Sequence, residues 1–302
     1  MKQIDVLCVG ATSFDLVFGV DHHPLADEKI MAQSLLMCGG GPAANAAVTV
    51  ARLGLRAAFA GYLGNDVFGN LHLKELQADS VDTSLIVRGE YATPLSAVWV
   101  KPDGQRALVN YRAPQAVLPR GSIDFSGIHP GVILFDGHEA EISLPLLRSA
   151  KAMGIRTILD AGSLHSGTTK LFKKVDYLVC SRKFAREFSG ETDMQIAIVR
   201  LAEHHPNVVV TLGADGLIRK TQSGEGYLPA YPVKAVDTTG AGDVFHRAFA
   251  AAIARNKTLD YALKFAGAVA ALSCTGTGGR KGIPHKTQVQ SYLDSVGLEN
   301  WN

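Results

Sequence analysis

The sequence has few cysteines, almost no excess of charge and no long apolar run, and each shortage argues against a class of protein. Only four of the 302 residues are cysteine, scattered within apolar runs, which predicts buried thiols rather than a disulfide or zinc framework. The 30 basic and 28 acidic residues leave a net charge of +2, so neither nucleic acid nor a membrane surface is the expected partner. No stretch approaches the roughly 18 consecutive apolar residues of a membrane helix, and the N-terminus is unlike a secretory signal. The sequence therefore predicts a soluble, cytoplasmic protein with a small-molecule partner.

The apolar segments that are present follow an α/β pattern. Short apolar runs without alternation recur at residues 6–9, 57–60, 132–135, 157–159, 177–180 and 208–211. Helix-period segments lie between them, at residues 43–53, 144–153 and 194–204. Apolar strands separated by helices predict a mostly parallel sheet that is covered on both faces. The 47% hydrophobic content is ample for one large domain over residues 1–302.

Residues 12–36 and 93–112 break this pattern. They contain alternating stretches, notably residues 96–100 and 106–111, which the turn Pro102-Asp103-Gly104 joins. Alternating strands keep one face for solvent or ligand, so we predict a small antiparallel sheet inserted into the main domain as a lid. No linker, low-complexity segment or repeat marks a second domain.

The stretch Val236-Asp237-Thr238-Thr239-Gly240-Ala241-Gly242-Asp243 carries the clearest chemistry, and a helical pattern follows it. The backbone N–H groups of Gly240, Ala241 and Gly242 can converge as an anion-binding nest, to which the helix adds the positive end of its dipole. Such a cradle suits a phosphoryl group in transit. Asp243 stands at the helix start, where its carboxylate can accept the proton of an attacking hydroxyl. The stretch thus predicts phosphoryl transfer with Asp243 as the general base.

This stretch matches the Asp-Thr-x-Gly-Ala-Gly-Asp signature of the ribokinase-like carbohydrate kinases, the PfkB family, which the whole chain resembles. Two further segments match in the right order, Gly39-Gly40-Gly41-Pro42-Ala43-Ala44-Asn45 and the Gly-x-x-Gly-x-Asp-x-x-Gly pattern of residues 61–69. The resemblance implies a three-layer αβα sandwich with a β-sheet lid, through which family members often dimerise. It also implies ATP as phosphate donor, Mg²⁺ with it, and a monovalent cation such as K⁺ near Asp237 and Thr239.

The resemblance also assigns residues to the two substrates. On the acceptor side, Asp15 and Asn45 bind hydroxyls while the glycines let the backbone approach closely. The residues implied on the nucleotide side are Ser181, Thr211, Gly213, Gly216, Thr239, Gly240, Gly242, Cys274 and Gly278. Several segments look closest to the ketohexokinase and sulfofructose kinase branch, in which Lys29 and Asn110 would hold the distal end of the acceptor.

The sequence departs from the family at two places near the phosphates. The family's Asn-x-x-Glu element, associated with magnesium, is replaced by Ser181 and Phe184, with Glu187 one turn further on; we therefore assign no magnesium ligands. Arg247 stands where the family usually has Gly, four residues after Asp243 and on the same helix face. Its side chain can pair with Asp243, reach a phosphate or point to solvent, and we predict that Arg247→Gly keeps or raises turnover.

A further departure from the family's sequence narrows the class of acceptor. Relatives in this branch place an Arg where this chain has His138, with Glu139 next to it. An Arg clamps an anion, whereas His beside Glu suits hydroxyls or an amino group, which favours a neutral or amino-bearing ketose. Arg112 is available if the acceptor is acidic.

Two other functions stay open. A nucleoside kinase of the same fold would need an apolar slot for the base, which Phe14, Phe18 and Trp99 can supply. A non-catalytic sensor of sugar or nucleotide is suggested by Arg247 and the missing Asn-x-x-Glu, although the retained Asp243 argues against it.

Overall fold

The computed structural model describes residues 2–222, 224–238, 240–276, 280, 282–299 and 301. Two residues assigned above to the nucleotide, Thr239 and Gly278, lie outside the described residues, and so does the share of the cation site expected of Thr239. None of the helices in the described part of the chain is both long and apolar enough to cross a membrane.

Strands and helices alternate over most of the chain. The strands are β1 (Lys2–Val9), β2 (Ser13–Gly19), β3 (Ser34–Gly40), β4 (Ala57–Gly64), β5 (Asp82–Gly89), β6 (Leu95–Val100), β7 (Arg106–Tyr111), β8 (Ile128–Phe135), β9 (Arg156–Ala161), β10 (Tyr177–Ser181), β11 (Val208–Thr211), β12 (Leu217–Thr221) and β13 (Gly224–Leu228). The helices are α1 (Pro42–Arg52), α2 (Val67–Ala78), α3 (Ala140–Ala152), α4 (Ser166–Leu171), α5 (Arg182–Ser189), α6 (Met194–Ala202), α7 (Ala241–Ala254), α8 (Leu259–Ser273) and α9 (Lys286–Ser295).

Nine of these strands form one large sheet in the order β13-β12-β11-β10-β9-β8-β1-β4-β5. Every neighbouring pair from β11 to β5 is parallel, while the pairs β11–β12 and β12–β13 at one edge are antiparallel. The predicted mostly parallel sheet is confirmed, and each of the six predicted apolar runs lies in one of its strands.

The side chains of β1 alternate between two cores, one on each face of this sheet. Val6 and Cys8 pack in a cluster with helices α1, α7, α8 and α9. Leu7 and Val9 pack in a cluster with helices α3, α4, α5 and α6. Burial on both faces is why the strands are apolar without alternation, and it gives the predicted three-layer αβα sandwich.

The remaining four strands form a small sheet in the order β3-β2-β6-β7, which we call the lid. The pairs β2–β3 and β6–β7 are antiparallel, but β2 and β6 run parallel, so the prediction of an antiparallel lid was wrong on this point. The reason is that β2 follows β1 and β6 follows β5, two strands of the large sheet that point the same way. Strand β3 also continues past residue 36, to Gly40.

The register gives the lid two different faces. Asp15 on β2, Ser96 on β6 and Asn110 on β7 pair in one row, so these polar side chains share a face. The opposite face is apolar, and four of its side chains are about half exposed: Leu35, Met37, Val109 and Tyr111.

Both points where the chain passes into the lid are held to β4. Ahead of β2, the buried hydroxyl of Thr12 donates to the carbonyl of Tyr62 at 2.7 Å. Ahead of β6, the hydroxyl of Thr93 accepts from the N–H of Gly64 at 3.0 Å. The lid is therefore fixed to the carboxyl end of β4, the strand next to the edge strand β5, through two threonines.

Asp66 reinforces the second attachment. One of its carboxylate oxygens accepts from the Thr93 hydroxyl at 2.7 Å and the other from the Thr93 N–H at 2.7 Å. Asp66 also accepts from the N–H of Gly69 at 2.7 Å and so caps α2. The Gly-x-x-Gly-x-Asp-x-x-Gly pattern is thus explained by a helix cap that doubles as a lid anchor.

Candidate active site

Helix α7 opens toward the carboxyl edge of the large sheet. Gly240 precedes the helix with φ of 76°, in the left-handed region that favours glycine, and Ala241 donates its N–H to the Thr238 carbonyl at 3.2 Å. A β-carbon on Gly242 would have its nearest neighbour 3.9 Å away, so the backbone there is open. The side chain of Asp243, in the same first turn, is 48% exposed. A carboxylate is thus presented beside accessible backbone at the positive end of a helix dipole.

Arg247 lies one turn further along α7, and its side chain is only 2% exposed. One of its terminal nitrogens is 3.5 Å from a carboxylate oxygen of Asp243. Its buried Nε finds no hydrogen-bond partner among the residues that the structure describes. The interpretation that Arg247 points to solvent is therefore wrong, and the pair with Asp243 is the arrangement observed.

His246 joins α7 to two neighbouring strands. Its Nδ1 lies 2.5 Å from a carboxylate oxygen of Asp160 on β9, and both side chains are buried. Its Nε2 lies 3.5 Å from the hydroxyl of Thr211, at the end of β11. Thr211, assigned to the nucleotide side, therefore lies close to the first turns of the helix that carries Asp243.

Cys8 marks the place where the two halves of the candidate site meet. Burial raises the pKa of its thiol; Arg247 acts in the opposite direction, and Asp136 and Asp160 add to the rise. These three charges act on one thiol because the carboxyl ends of β1, β8 and β9 are adjacent and α7 packs across them. The thiols of Cys180 and Cys274 are buried as well, as predicted, whereas Cys38 is half-buried.

Asp136 was missed from the sequence, although an acid directly after a predicted strand is a usable signal at the carboxyl edge of a parallel sheet. One of its oxygens accepts from the N–H groups of Ala11, at 2.7 Å, and Ala43, at 3.2 Å. The other accepts from the N–H of His138 at 2.8 Å. Asp136 therefore ties together the ends of β1 and β8 and the start of α1.

Asp15 lies on the polar face of the lid, above the glycine run. Its carboxylate accepts from the Ser13 hydroxyl at 2.6 Å and is also hydrogen-bonded to Ser96. Burial raises the pKa of Asp15, and the two serine hydroxyls partly oppose that rise. Ser96 is a further residue that sequence reasoning missed, because a serine in an alternating strand carries no signal until the register is known.

The buried guanidinium of Arg280 lies beneath the acceptor residues. It donates from Nε to the Asn45 carbonyl oxygen at 2.7 Å and from a terminal nitrogen to Glu75 at 3.0 Å. The other terminal nitrogen lies 3.0 Å from Nε2 of His72. Glu75 in turn accepts from the N–H of Gly39 at 2.7 Å. Nothing local in the sequence could have revealed this network, because Arg280 and Asn45 are 235 residues apart.

The three glycines ahead of Asn45 leave room for the protein's own side chains. A β-carbon on Gly39 would lie 2.2 Å from a nitrogen of Arg280, and one on Gly40 would lie 2.2 Å from the Asp15 carboxylate. Gly41 has φ of 91° and a β-carbon there would overlap Thr12. The glycine run therefore allows the lid, α1 and Arg280 to converge.

Glu139 and Arg112 form a buried ion pair on the acceptor side. The second oxygen of Glu139 accepts from the Leu118 N–H at 3.1 Å. Burial raises the pKa of Glu139, while Arg112 opposes the rise. The pair lines a cavity of about 10 Å³, which is room for no more than one water molecule. Both charged groups that were assigned to the acceptor are thus already engaged with each other.

The residues assigned to the distal end of the acceptor are exposed. His138 stacks on His165, with ring centroids 4.5 Å apart. Lys29 lies in the loop between β2 and β3, and Asn110 lies on β7 in the row of Asp15.

On the nucleotide side, Ser181 ends β10 and caps α5. Its hydroxyl accepts from the Phe184 N–H at 3.0 Å and donates to the Gly162 carbonyl at 2.8 Å. Gly213 and Gly216 have φ of 67° and 80° and frame the 3₁₀ turn that follows β11. These residues all lie at the same edge of the sheet as Thr211.

The segment ahead of α7 is held to the end of α8. The carbonyl of Cys274 accepts from the N–H groups of Val236, at 2.8 Å, and Asp237, at 3.2 Å. Cys274 and the half-buried Asp237 therefore lie together ahead of α7, and their assignment to a nucleotide and a cation stays a prediction.

No group of three or more His, Cys, Asp or Glu side chains able to hold a metal ion occurs in the part of the chain that the structure describes. Phe184, at the family's Glu position, is fully buried. Glu187 accepts from the Leu164 N–H at 2.8 Å and lies 3.7 Å from the Lys183 ammonium. The described residues therefore provide no cluster of three or more such side chains that could form a metal cage without a ligand.

Comparisons with known proteins place the chain among carbohydrate kinases. The model of the pfkB family of carbohydrate kinases matches residues 3–286. The chain is 28% identical over 293 residues to a ribokinase of Bacillus subtilis, covering 96% of this chain and 99% of the relative. It is 31% identical over 298 residues to fructokinase-1 of Oryza sativa, covering 88% and 91%.

Solved structures show the same fold. A putative ribokinase from Agrobacterium tumefaciens superposes with a TM-score of 0.90 at 28% identity, over 99% of both chains. The Arabidopsis thaliana ribokinase, solved in complex with ribose and ATP, gives a TM-score of 0.86 at 25% identity, over 97% of this chain and 99% of that one. With the family match, the ribokinase-like fold and Asp243 at the head of α7 together, the chain belongs to the pfkB family of carbohydrate kinases.

Proposed function

We propose that this carbohydrate kinase transfers the terminal phosphate of ATP to a primary hydroxyl of a small ketose or ketose derivative. The observation that carries the proposal is the half-exposed carboxylate of Asp243 in the first turn of α7. Helix α7 packs on α1, which carries Asn45, one of the residues expected to bind the acceptor. Asp243 accepts the proton of the acceptor hydroxyl, whose oxygen attacks the terminal phosphorus as the bond to ADP breaks. The backbone N–H groups of residues 240–242 stabilise the charge on the transferred group.

The nucleotide and its cations are part of the proposal. A relative with this fold has been solved with ATP bound, which supports ATP as the donor. Magnesium would be held mainly by the phosphates, because the described residues contain no cluster of three or more His, Cys, Asp or Glu side chains to bind it. A monovalent cation beside Asp237, with Thr239, would make the rate depend on K⁺.

A neutral acceptor fits the acceptor side best. Arg112 and Glu139 compensate each other's charge, which favours a neutral acceptor over an acidic or an amino-bearing one. A fructokinase relative supports a ketose, while the ribokinase relatives make ribose the necessary comparison. The ketohexokinase-like branch stays a prediction.

An ADP-release screen tests the proposal. It should compare fructose-like ketoses, ribose, amino sugars, sugar acids and the nucleosides adenosine, inosine and cytidine. We expect turnover on a ketose, and a loss of kcat of roughly 10²- to 10⁴-fold in Asp243→Asn, because general base catalysis contributes about that much. Ligand-dependent melting without ADP release from any candidate would instead identify a sensor.

A nucleoside acceptor is less well supported. Phe14, one of three side chains expected to line a base slot, is 1% exposed and packs on Phe68, with ring centroids 5.4 Å apart. It belongs to the contact between the lid and α2. Turnover on a nucleoside above that on every ketose would nevertheless overturn the proposed substrate class.

We further propose that two copies of the chain associate through the lid. The apolar face of the lid exposes about half of each of four large side chains, Leu35, Met37, Val109 and Tyr111. Apolar patches of this kind mark association surfaces. The polar face of the same sheet stays with the acceptor site.

A further inference from the structure

Arg280 is the feature of the acceptor side that the proposed reaction does not yet use. Its side chain is 6% exposed, although it comes from a segment after α8, on the nucleotide side of the molecule. A guanidinium is always charged, so burying it is costly unless it is fully hydrogen-bonded. Burial lowers the pKa of Arg280, and Glu75 opposes that effect. The burial of this charged side chain therefore suggests that Arg280 has a specific function.

The contact between Arg280 and Asn45 fixes the polarity of the Asn45 side chain. A guanidinium has donors and no acceptor. The Asn45 atom that lies 2.7 Å from Nε must therefore be the carbonyl oxygen, not the amide nitrogen. The two N–H groups of the Asn45 amide remain for a ligand. An Asn whose side-chain amide could rotate by 180° would present either a donor or an acceptor to the ligand.

The other contacts hold Arg280 itself in place. One terminal nitrogen donates to Glu75 at 3.0 Å, and the other lies 3.0 Å from His72. Burial and then Arg280 lower the pKa of His72 well below its ordinary value, so its ring stays neutral and accepts at Nε2. Each nitrogen of the guanidinium thus has a partner in the described part of the chain, which holds Arg280 in one position, although the buried Nδ1 of His72 finds no partner there.

Resting on the proposed function, we propose that Arg280 is a positioning residue for the acceptor. It locks the Asn45 amide with its N–H groups toward the acceptor, so that Asn45 binds an oxygen lone pair. Asp15, which receives the serine hydroxyls, binds a hydroxyl proton nearby. Together they select a pair of hydroxyls in one orientation, and the selection depends on a residue that the nucleotide-side segment supplies.

The first test compares Arg280→Met with Arg52→Met. Losing a charge-assisted hydrogen bond should raise the acceptor KM about 10- to 100-fold, with kcat and the ATP KM changed less than about threefold. Arg52 is the matched control, because it binds the backbone carbonyls of Arg280 and Ile283, at 2.9 and 3.2 Å, without touching Asn45. Arg280→Lys should give an intermediate KM, since an ammonium cannot reproduce the planar three-way geometry. An unchanged acceptor KM in Arg280→Met would overturn the role.

A double-mutant cycle with Asn45→Ala tests whether Arg280 acts through Asn45. If it does, the double variant should have the acceptor KM of the more impaired single variant within about twofold. Multiplying effects would mean that Arg280 acts by another route, and the proposal would fail.

An NMR measurement that does not depend on turnover separates the positioning role of Arg280 from the proposed reaction. In ¹⁵N-labelled protein, the Asn45 side-chain NH₂ group, assigned by the loss of its signals in Asn45→Ala, should have a high order parameter in the wild type and in Arg52→Met. The order parameter should fall in Arg280→Met, because the amide can then rotate. Equal order parameters in all three proteins would refute a locked amide. A wild type that phosphorylates no candidate would refute the proposed function alone.

Discussion

At the scale of single residues, the burial of Asp15 on the acceptor side should lower the free energy of unfolding when its carboxylate is charged. Its carboxylate is enclosed by the lid and the glycine run, and burial raises its pKa in the folded protein. A carboxyl group with a raised folded pKa binds its proton more tightly when folded. Its contribution to the free energy of unfolding is therefore complete at acid pH and is lost as the pH rises through the folded pKa.

We accordingly predict that Asp15→Asn raises the Tm at pH 8 by about 1–4 °C, while the acceptor KM increases. The gain should shrink as the pH falls through the raised folded pKa of Asp15 and the native carboxyl group becomes protonated. Thermal unfolding of both proteins from pH 4 to 8 measures this. Asp5→Asn is the control of opposite sign, because Arg56 lowers the pKa of Asp5 and its removal should reduce the Tm at pH 8. A lower Tm of Asp15→Asn at pH 8 would contradict the argument.

At the scale of the element, α7 is unusual in placing the buried side chain of Arg247 one turn below the half-exposed carboxylate of Asp243. The helix is buried along most of its length, from Val244 to Ile253, so the Arg247 side chain fills core space as well as pairing with Asp243. Buried ion pairs add little net stability, whereas empty core space is costly. The volume and the charge of the Arg247 side chain should therefore have separable effects on the Tm and on kcat.

We predict that Arg247→Gly lowers the Tm by several degrees but keeps or raises kcat, measured at a temperature where the variant is folded. Glycine leaves a cavity and weakens the helix interior by about 1 kcal/mol relative to alanine. Arg247→Met, which keeps most of the volume and removes the charge, should have a Tm equal to or above that of the wild type. A loss of kcat of tenfold or more in both folded variants would place Arg247 in the reaction itself.

At the scale of the whole molecule, the two faces of the lid predict how copies associate. Val109→Glu on the apolar face should convert a dimer to a monomer, because it would bury a carboxylate without a partner in the interface. Light scattering after size-exclusion chromatography measures the mass. Val199→Glu on α6, equally apolar and 46% exposed, is the control and should leave the mass unchanged. Equal masses for the wild type, Val109→Glu and Val199→Glu would argue against association through the apolar face of the lid.

The sequence was sufficient for features that depend on local pattern. The apolar runs predicted the strands of the large sheet, and the glycine-rich stretch ahead of a helical pattern predicted α7 with Asp243 in its first turn. What it could not supply depends on contacts between distant segments. The parallel pairing of β2 with β6, the Asp136 contacts and the link from Arg280 to Asn45 arise only when separate strand ends and loops converge. The ion pair between Glu139 and Arg112 likewise depends on the fold, and it changes the chemistry expected of two residues that were assigned to the acceptor.

The attachment of the lid to β4 restricts how the enzyme can close over its substrates. Thr12 and Thr93 are both tethered to that strand, the second one doubly through Asp66. Any swing that preserves these bonds must bend the chain beyond the threonines, next to β2 and β6. Asp15 lies only three residues after Thr12, so it would be displaced less than the far ends of the lid strands. Asp15, which we propose binds the acceptor, would thus stay nearly in place when the lid moves.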